Sequence, residues 1–546
     1  MHNNPAVIRY ENCKIYTMDD TQPSAEAMVT CGNTFAGTGS AAEMKARFPG
    51  ARSVDLEGGV VLPGIIDGHA HPLSASKLSA IYNQTYPSAI ADLLERIKAE
   101  AGTAAPDKWI YIHRIFPSRI DCRRFPTRKE LDYAAPDTPV YLNGAFGAML
   151  NSKALALSGL SDSSAHPGLI RDAGGRLTGA VLLSAQHLIK YSPGVEAGFD
   201  SEEYIAMLKR YARTGITSVC DVFYSADEVR FVSALAARRA LPLRVNFAYS
   251  PNLGADTEDA RAKIMSAPMK TGEGSDWFRA GPLKTYVDGG MLTATAYMSE
   301  PYGAPASEMF GGGDSGYRGI TAYNSPEELA GIIRLALDAS WRFTAHCTGD
   351  GAAALLLDVY SDIHREKPLV SRRCQIIHAN FLSPHMQDQC AAMSILPDIQ
   401  PAWLYRDADA LLYWLGSRKM KNFQPWHSML QKGIQLCAGS DHMSGTDPDT
   451  SVNPYNPWLG MYAFCSRQSD KGTRHGKTEA LTREDAIRAY TVNNAYKSGE
   501  ENRKGSITAG KLADFIVLAS DPFTCGIDEV KEIRPVHTFI DGVMHL

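Results

Sequence analysis

Two histidines placed two residues apart, His69 and His71 in IIDGHAHP, are the first residues of the chain whose types and spacing suggest chemistry. At the end of a strand, side chains at i and i+2 leave the same face, so both imidazoles can reach one metal ion. An HxH pair among 15 histidines can also arise by accident, so the pair does not make a metal site by itself. In LKTYVDGG, Lys284, Tyr286 and Asp288 share a strand face by the same period. A lysine inside an apolar strand needs a partner, because an unpaired buried ammonium is costly and tends to give up its proton. A deprotonated lysine beside a metal can add CO2 and become a carbamate that bridges two cations. Spacing alone favours the plainer reading, an ion pair between Lys284 and a carboxylate.

His346 in FTAHCTGD, His378 in QIIHANFL and Asp441 in IQLCAGSDH each close an apolar run just before turn residues. Taken singly, each reads as a satisfied structural residue. Their meaning depends on the elements that carry them. Eight short runs alternate with amphipathic stretches: GVVLPGIIDGHAH, GITSVCDV, LPLRVNFAY, PLKTYVDGG, RFTAHCTGD, CQIIHAN, SILPDIQPA and GIQLCAGSD. Between them lie EEYIAMLKRYART, SPEELAGIIRLALDAS and GAAALLLDVYSDIHRE, whose apolar residues recur at three- and four-residue steps, as in crossover helices. Eight strands with helical crossovers predict an α/β fold, a (β/α)8 TIM barrel; an open doubly wound sheet has the same alternation. In a barrel the six residues stand at the C-terminal ends of strands one, four, five, six and eight, the face where barrel enzymes carry out their chemistry. Several independent accidents on one rim are harder to accept than one metal site built from His69, His71, Lys284, His346, His378 and Asp441.

Both ends of the chain read as short strands broken by turn residues, so residues 1–61 and 493–546 are expected to form one small sheet domain outside a barrel of 62–492. The first inter-strand connection, about residues 75–200, is too long for a structureless loop and is read as a cap that overhangs the barrel mouth. His113, His187, His364 and His385 are assigned to helices or loops, and His442 to shaping the rim. The arginines of CRRFPTRKELD read as a solvated face, with contact to an anionic substrate as the alternative. Trp403, Tyr405, Trp414, Trp426, Trp458 and Tyr462 crowd the segments after strands seven and eight; core packing is their default, and an apolar or aromatic substrate is compatible with them.

The chain has 546 residues, 44% of them hydrophobic and 21% charged, with a net charge of -5. That balance carries no basic footprint for nucleic acid. Ten cysteines without a CxxC pair indicate neither a disulfide framework nor a zinc knuckle. With no secretory pattern and no run near the ~18 apolar residues of a membrane span, a soluble, cytoplasmic enzyme without a membrane partner is expected. A homodimer is compatible with its size.

VVLPGIIDGHAHP, ELDYAAPDTPVYL, LNSKALALSGL, GITSVCDV, LKTYVDGG, AHCTGDGA, IIHANFLSP, AGSDHMSG and GSITAGKLADFIVL together resemble the amidohydrolase superfamily, in its YtcJ-like branch with the N-substituted formamide deformylases. The resemblance implies a barrel, a small β-sandwich from both termini, and a metal centre at the six rim residues. It also implies hydrolysis of an amide- or formamide-type C–N bond. Two positions depart from the branch: Ile377 stands where the branch has a Glu just before the fourth histidine, and the chain reads GAFGAM, with Phe146, near the place of the branch's Gly-His pair in the insertion. Both predict a less polar pocket and leave the metal ligands intact.

The expected cofactor is one or two divalent ions, zinc by the mostly nitrogen donor set, with two ions if Lys284 is carboxylated. Asp441 is expected to move the proton of the attacking water to the departing nitrogen, while the metal or a histidine such as His378 stabilises the oxyanion. A deaminase acting on an aminated heterocycle would use the same scaffold; a metal-dependent decarboxylase or isomerase, or a non-catalytic binding protein, are the remaining alternatives.

Overall fold

A computed structural model describes residues 6–82, 88–105, 108–191 and 198–545. Parts of the expected cap at 83–87, 106–107 and 192–197, and the outermost residues of the terminal segments, lie outside that range. Eight parallel strands follow one another in sequence order around a barrel: Ile65–Ala70, Ile216–Phe223, Arg244–Tyr249, Phe278–Tyr286, Phe343–Cys347, Gln375–His378, Leu396–Ile399 and Cys437–Ala438. The circle closes beside the first strand, where the Asp441 N–H donates to the His69 carbonyl at 2.7 Å and the His71 N–H to the His442 carbonyl at 2.8 Å. Every one of the eight expected runs supplies a barrel strand. All residues of Ile216–Phe223 are buried, as expected of a parallel strand covered on both faces.

The crossover helices form for local reasons. In Ser201–Arg213, Asp200 caps the N-terminus by accepting from the Glu202 and Glu203 N–H groups, and Tyr204, Met207, Leu208 and Tyr211 turn one stripe onto the barrel. Ser325 caps Pro326–Asp338 in the same way, with proline at the start, where no donor is lost.

The first expected strand is in fact two. Arg52–Pro63 belongs to an eight-stranded mixed sheet, and Ile65–Ala70 belongs to the barrel. Gly64 is the crossing point, where a Cβ would lie 2.1 Å from the Thr217 hydroxyl oxygen. In that mixed sheet Arg52–Pro63 pairs with Val7–Tyr16 on one side and with Phe515–Leu518 on the other, so strands from both termini share one ladder. Phe515 and Phe539 stack at 4.2 Å in its core.

The long first connection carries its own five-stranded sheet, in the order Leu169–Arg171, Leu177–Leu182, Gly147–Leu150, Val140–Asn143 and Ile110–His113. A capping box at Thr127 and Glu130 starts the helix Arg128–Ala134 that packs beside it. Among the described residues no helix is long and apolar enough to cross a membrane.

Candidate active site

A cavity of about 420 Å³ opens over the C-terminal ends of the barrel strands, and His71, Lys284, His346, His378 and Asp441 all line it. His69 stands directly behind them. Ligand atoms of His69, His71 and Asp441 lie within 4.8 Å of one another. The Asp441 Oδ1 is 3.1 Å from His71 Nε2 and 3.5 Å from His69 Nε2. His378 Nε2 lies 2.9 Å from His346 Nδ1. The fold thus brings all six rim residues to one place, although His71 and Asp441 are 370 residues apart in the chain.

The ion pair that spacing favours for Lys284 does not occur among the described residues. Its Nζ lies 3.2 Å from His69 Nε2, with the Tyr286 ring 5.0 Å away. Asp288, on the same predicted face, accepts the Thr348, Gly349 and Tyr297 backbone N–H groups, pinning the loops beside it, and its Oδ1 lies 3.6 Å from His346 Nε2.

The imidazoles are held by partners that carry no motif in the sequence. His346 donates from Nε2 to the Gly289 carbonyl at 2.9 Å, and His378 donates from Nδ1 to Gln400 Oε1 at 2.6 Å. Gln400 is oriented for this because its amide nitrogen faces the Asp398 carbonyl and carboxylate. The two nitrogens that face each other across 2.9 Å therefore both carry lone pairs, an arrangement that a shared cation stabilises. His69 Nδ1 lies 3.6 Å from Asp398 Oδ2, whose carboxylate accepts from Lys497 at 2.6 Å. Asp398 and Gln400 sit two apart in SILPDIQPA, polar residues in an otherwise apolar run, and that is the signal that could have revealed them.

Burial sets the protonation of the cluster. Loss of solvent pushes His71 and His346 down to about 3 and His378 well below its ordinary range, so all three offer neutral lone pairs near pH 7. Burial works to raise Asp441, but its hydrogen bonds with His69 and His71 outweigh that and keep it well below the usual carboxylate range. The donor set of neutral imidazoles and one carboxylate fits a divalent cation.

Backbone strain marks the same residues. His378 and Asp441 adopt left-handed φ values of 74° and 52°, costly for non-glycine residues and held here by the surrounding ladder. Gly439 lets strand eight approach strand one, since a Cβ there would lie 2.5 Å from the His69 nitrogen. Replacing Gln400 with Ala should free His378 to turn or change tautomer. We expect metal affinity to fall by about 10- to 100-fold, read by competition with a chromophoric chelator.

The insertion forms the other wall, through His113, Arg114, Phe116, Phe146, Leu183 and Gln186. His113, assigned from sequence to a helix or loop, closes a strand and faces the cavity, because the insertion has a sheet of its own. Phe146 reaches the cluster, its ring 4.9 Å from His346, and puts an apolar face on the cavity wall. Ile377 is buried outside the cavity lining, because neighbouring residues of a strand face opposite ways. Of the six aromatic residues after strands seven and eight, only Trp403 lines the cavity, stacked on His378 at 4.6 Å. Trp414, Trp426 and Trp458 are core.

Residues 52–544 match the amidohydrolase family. The chain belongs to that family. This amidohydrolase is 28% identical to the N-substituted formamide deformylase of Arthrobacter pascens, over 98% of its own length and 97% of the relative's. It is 26% identical to the putative amidohydrolase YtcJ of Bacillus subtilis, over 97% of each chain. Its fold is similar to a metal-dependent hydrolase of Pyrococcus horikoshii, with a TM-score of 0.69 at 20% identity, covering 96% of this chain and 99% of that one. The amidohydrolase is a metal-dependent enzyme that hydrolyses carbon–nitrogen bonds other than peptide bonds.

Proposed function

We propose that this amidohydrolase cleaves an N-substituted amide or formamide whose substituent is apolar or aromatic, with His69, His71, Lys284, His346, His378 and Asp441 holding one or two zinc ions. The observation that carries the reading is the convergence of buried nitrogen donors and one ionised carboxylate on a cavity whose far wall includes Phe116 and Phe146. The relative that acts on N-substituted formamides supports the choice of bond. A bound divalent ion supplies Lewis acidity and lowers the pKa of water towards ~7. His69, His71 and Asp441 would hold one ion; a carbamate on Lys284 would let His346 and His378 hold a second beside it.

Asp441 takes the proton of the attacking water and delivers it to the leaving nitrogen. Its position suits that role, because Oδ1 faces the histidine pair while Asn453 Nδ2 donates to the backbone carbonyl at 2.7 Å and to Oδ2 at 3.2 Å. With its Nδ1–H committed to Gln400, His378 presents a lone pair and serves as a ligand rather than as a donor to the oxyanion. The hydroxyls of Tyr224 and Tyr286, 3.2 Å apart at the cavity wall, are the nearby groups with protons to offer a developing oxyanion.

Dialysis against a strong chelator should remove one or two ions per chain and reduce turnover to background, and zinc should restore both; elemental analysis read beside a rate assay checks this. A screen of formamides, N-substituted amides, lactams and aminated heterocycles, scored for amine, acid and ammonia, tests the bond. Ammonia from a heterocycle with no acid or amine from any amide would replace the reading with a deaminase.

A further inference from the structure

Three of the residues that line the cavity carry formal charge: Arg114, Lys284 and Asp441. Asp441 is engaged by His69, His71 and Asn453, which leaves Arg114 without a carboxylate in the cavity wall. Arg114 follows the insertion strand Ile110–His113 directly, is half-buried, and adopts a left-handed φ of 54°. Its Nε–H donates to His113 Nε2 at 3.2 Å, and the Tyr111 hydroxyl meets His113 Nδ1 at 2.9 Å. Burial, followed by the Arg114 charge, holds His113 well below its ordinary range, so His113 is a neutral acceptor and not a second cation. The Nε is thereby committed, and among the described residues the two terminal nitrogens have no ion-pair partner within 4.0 Å.

A guanidinium keeps its charge at any working pH, and its paired terminal N–H groups match the two oxygens of a carboxylate. The cavity sets this guanidinium beside apolar walls from Phe116, Phe146 and Leu292. Arg114 lines the same cavity as Tyr224, whose hydroxyl is 3.2 Å from His71.

We propose that Arg114 is a carboxylate subsite, and that the substrate is an amide carrying a carboxylate beside an apolar group on its nitrogen half, as an N-acylated apolar amino acid does. The inference rests on the hydrolase reading above and adds to it the far end of the substrate. Hydrolysis adds water across the C–N bond: the acyl carbon gains the oxygen and leaves as a carboxylate, and the nitrogen gains the protons and leaves as the free amino acid.

Two probes isolate the subsite. N-formylphenylalanine and N-formylphenethylamine share the scissile bond and the ring and differ only in the carboxylate. The zinc-loaded enzyme should prefer the first by about 10- to 100-fold in kcat/KM, mostly through KM, as a charged hydrogen bond allows. In Arg114→Gln that preference should fall to about one, and Arg114→Lys should lie between. Cleavage of both probes with the same preference in enzyme and variant overturns the subsite and leaves the hydrolase reading standing. Where neither probe is cleaved, calorimetric binding of N-formylphenylalanine decides. Binding at least tenfold tighter to the enzyme than to Arg114→Gln supports the subsite, and equal or absent binding overturns it. Matching melting curves establish that the variants are folded.

Discussion

Asp441→Asn should lower kcat by about 10³-fold, within the range that a positioned acid–base group contributes, while the protein remains folded. The substitution keeps the shape of the side chain and removes both its charge and its capacity to take a proton. Its new NH2 would face either the His71 nitrogen at 3.1 Å or the Asn453 amide at 3.2 Å, and the latter already donates. Metal content measured on the same preparation separates the two roles given to Asp441. Full metal with lost turnover places the loss in proton transfer, and lost metal places it in binding. A variant that retains its metal and more than a tenth of the normal kcat would remove Asp441 from the reaction.

The second large effect concerns stability. Asp398 and Lys497 form an ion pair at 2.6 Å with side chains only 2% and 5% exposed, at the base of the site. Truncating one partner strands a buried charge, so Asp398→Ala should cost about 3–5 kcal/mol, read as a lower urea midpoint. Among the described residues the Lys497 ammonium then keeps only its bond to the Gly68 carbonyl at 2.8 Å. Adding Lys497→Met should recover much of the loss, because an apolar pair of similar volume carries no charge to desolvate. Metal affinity should not recover with it, since His69 Nδ1 would still lack the Asp398 carboxylate. Recovery of both properties together would mean that Asp398 acts on His69 only through general stability.

Much of the barrel is legible in the chain because its signals are local. A buried parallel strand is a short β-branched run, a crossover helix repeats at three- and four-residue steps, and both show within about 15 residues. His69, His71, His346, His378 and Asp441 could be found because each stands where such a run ends. The split at Gly64 was hidden, because VVLP and IIDGHA read as one continuous apolar run. Only their separate partners, Phe515–Leu518 on one side and Ile216–Phe223 on the other, divide them.

By itself, then, the sequence determined the fold class and the six-residue rim, since these depend on residue types at the ends of locally readable elements, while the class of bond attacked came from the resemblance of its motifs to the amidohydrolases. Tertiary structure alone decided the rest. It turned Lys284 towards His69 rather than a carboxylate, and set Asp398 and Gln400 behind His69 and His378. It also brought Phe146, His113 and Arg114 from the insertion over the barrel mouth while leaving Ile377 and most of the later tryptophans outside the cavity. Each of these outcomes is a meeting of residues far apart in the chain. The direction of a side chain into such a meeting depends on the packing of whole layers, which no local period encodes.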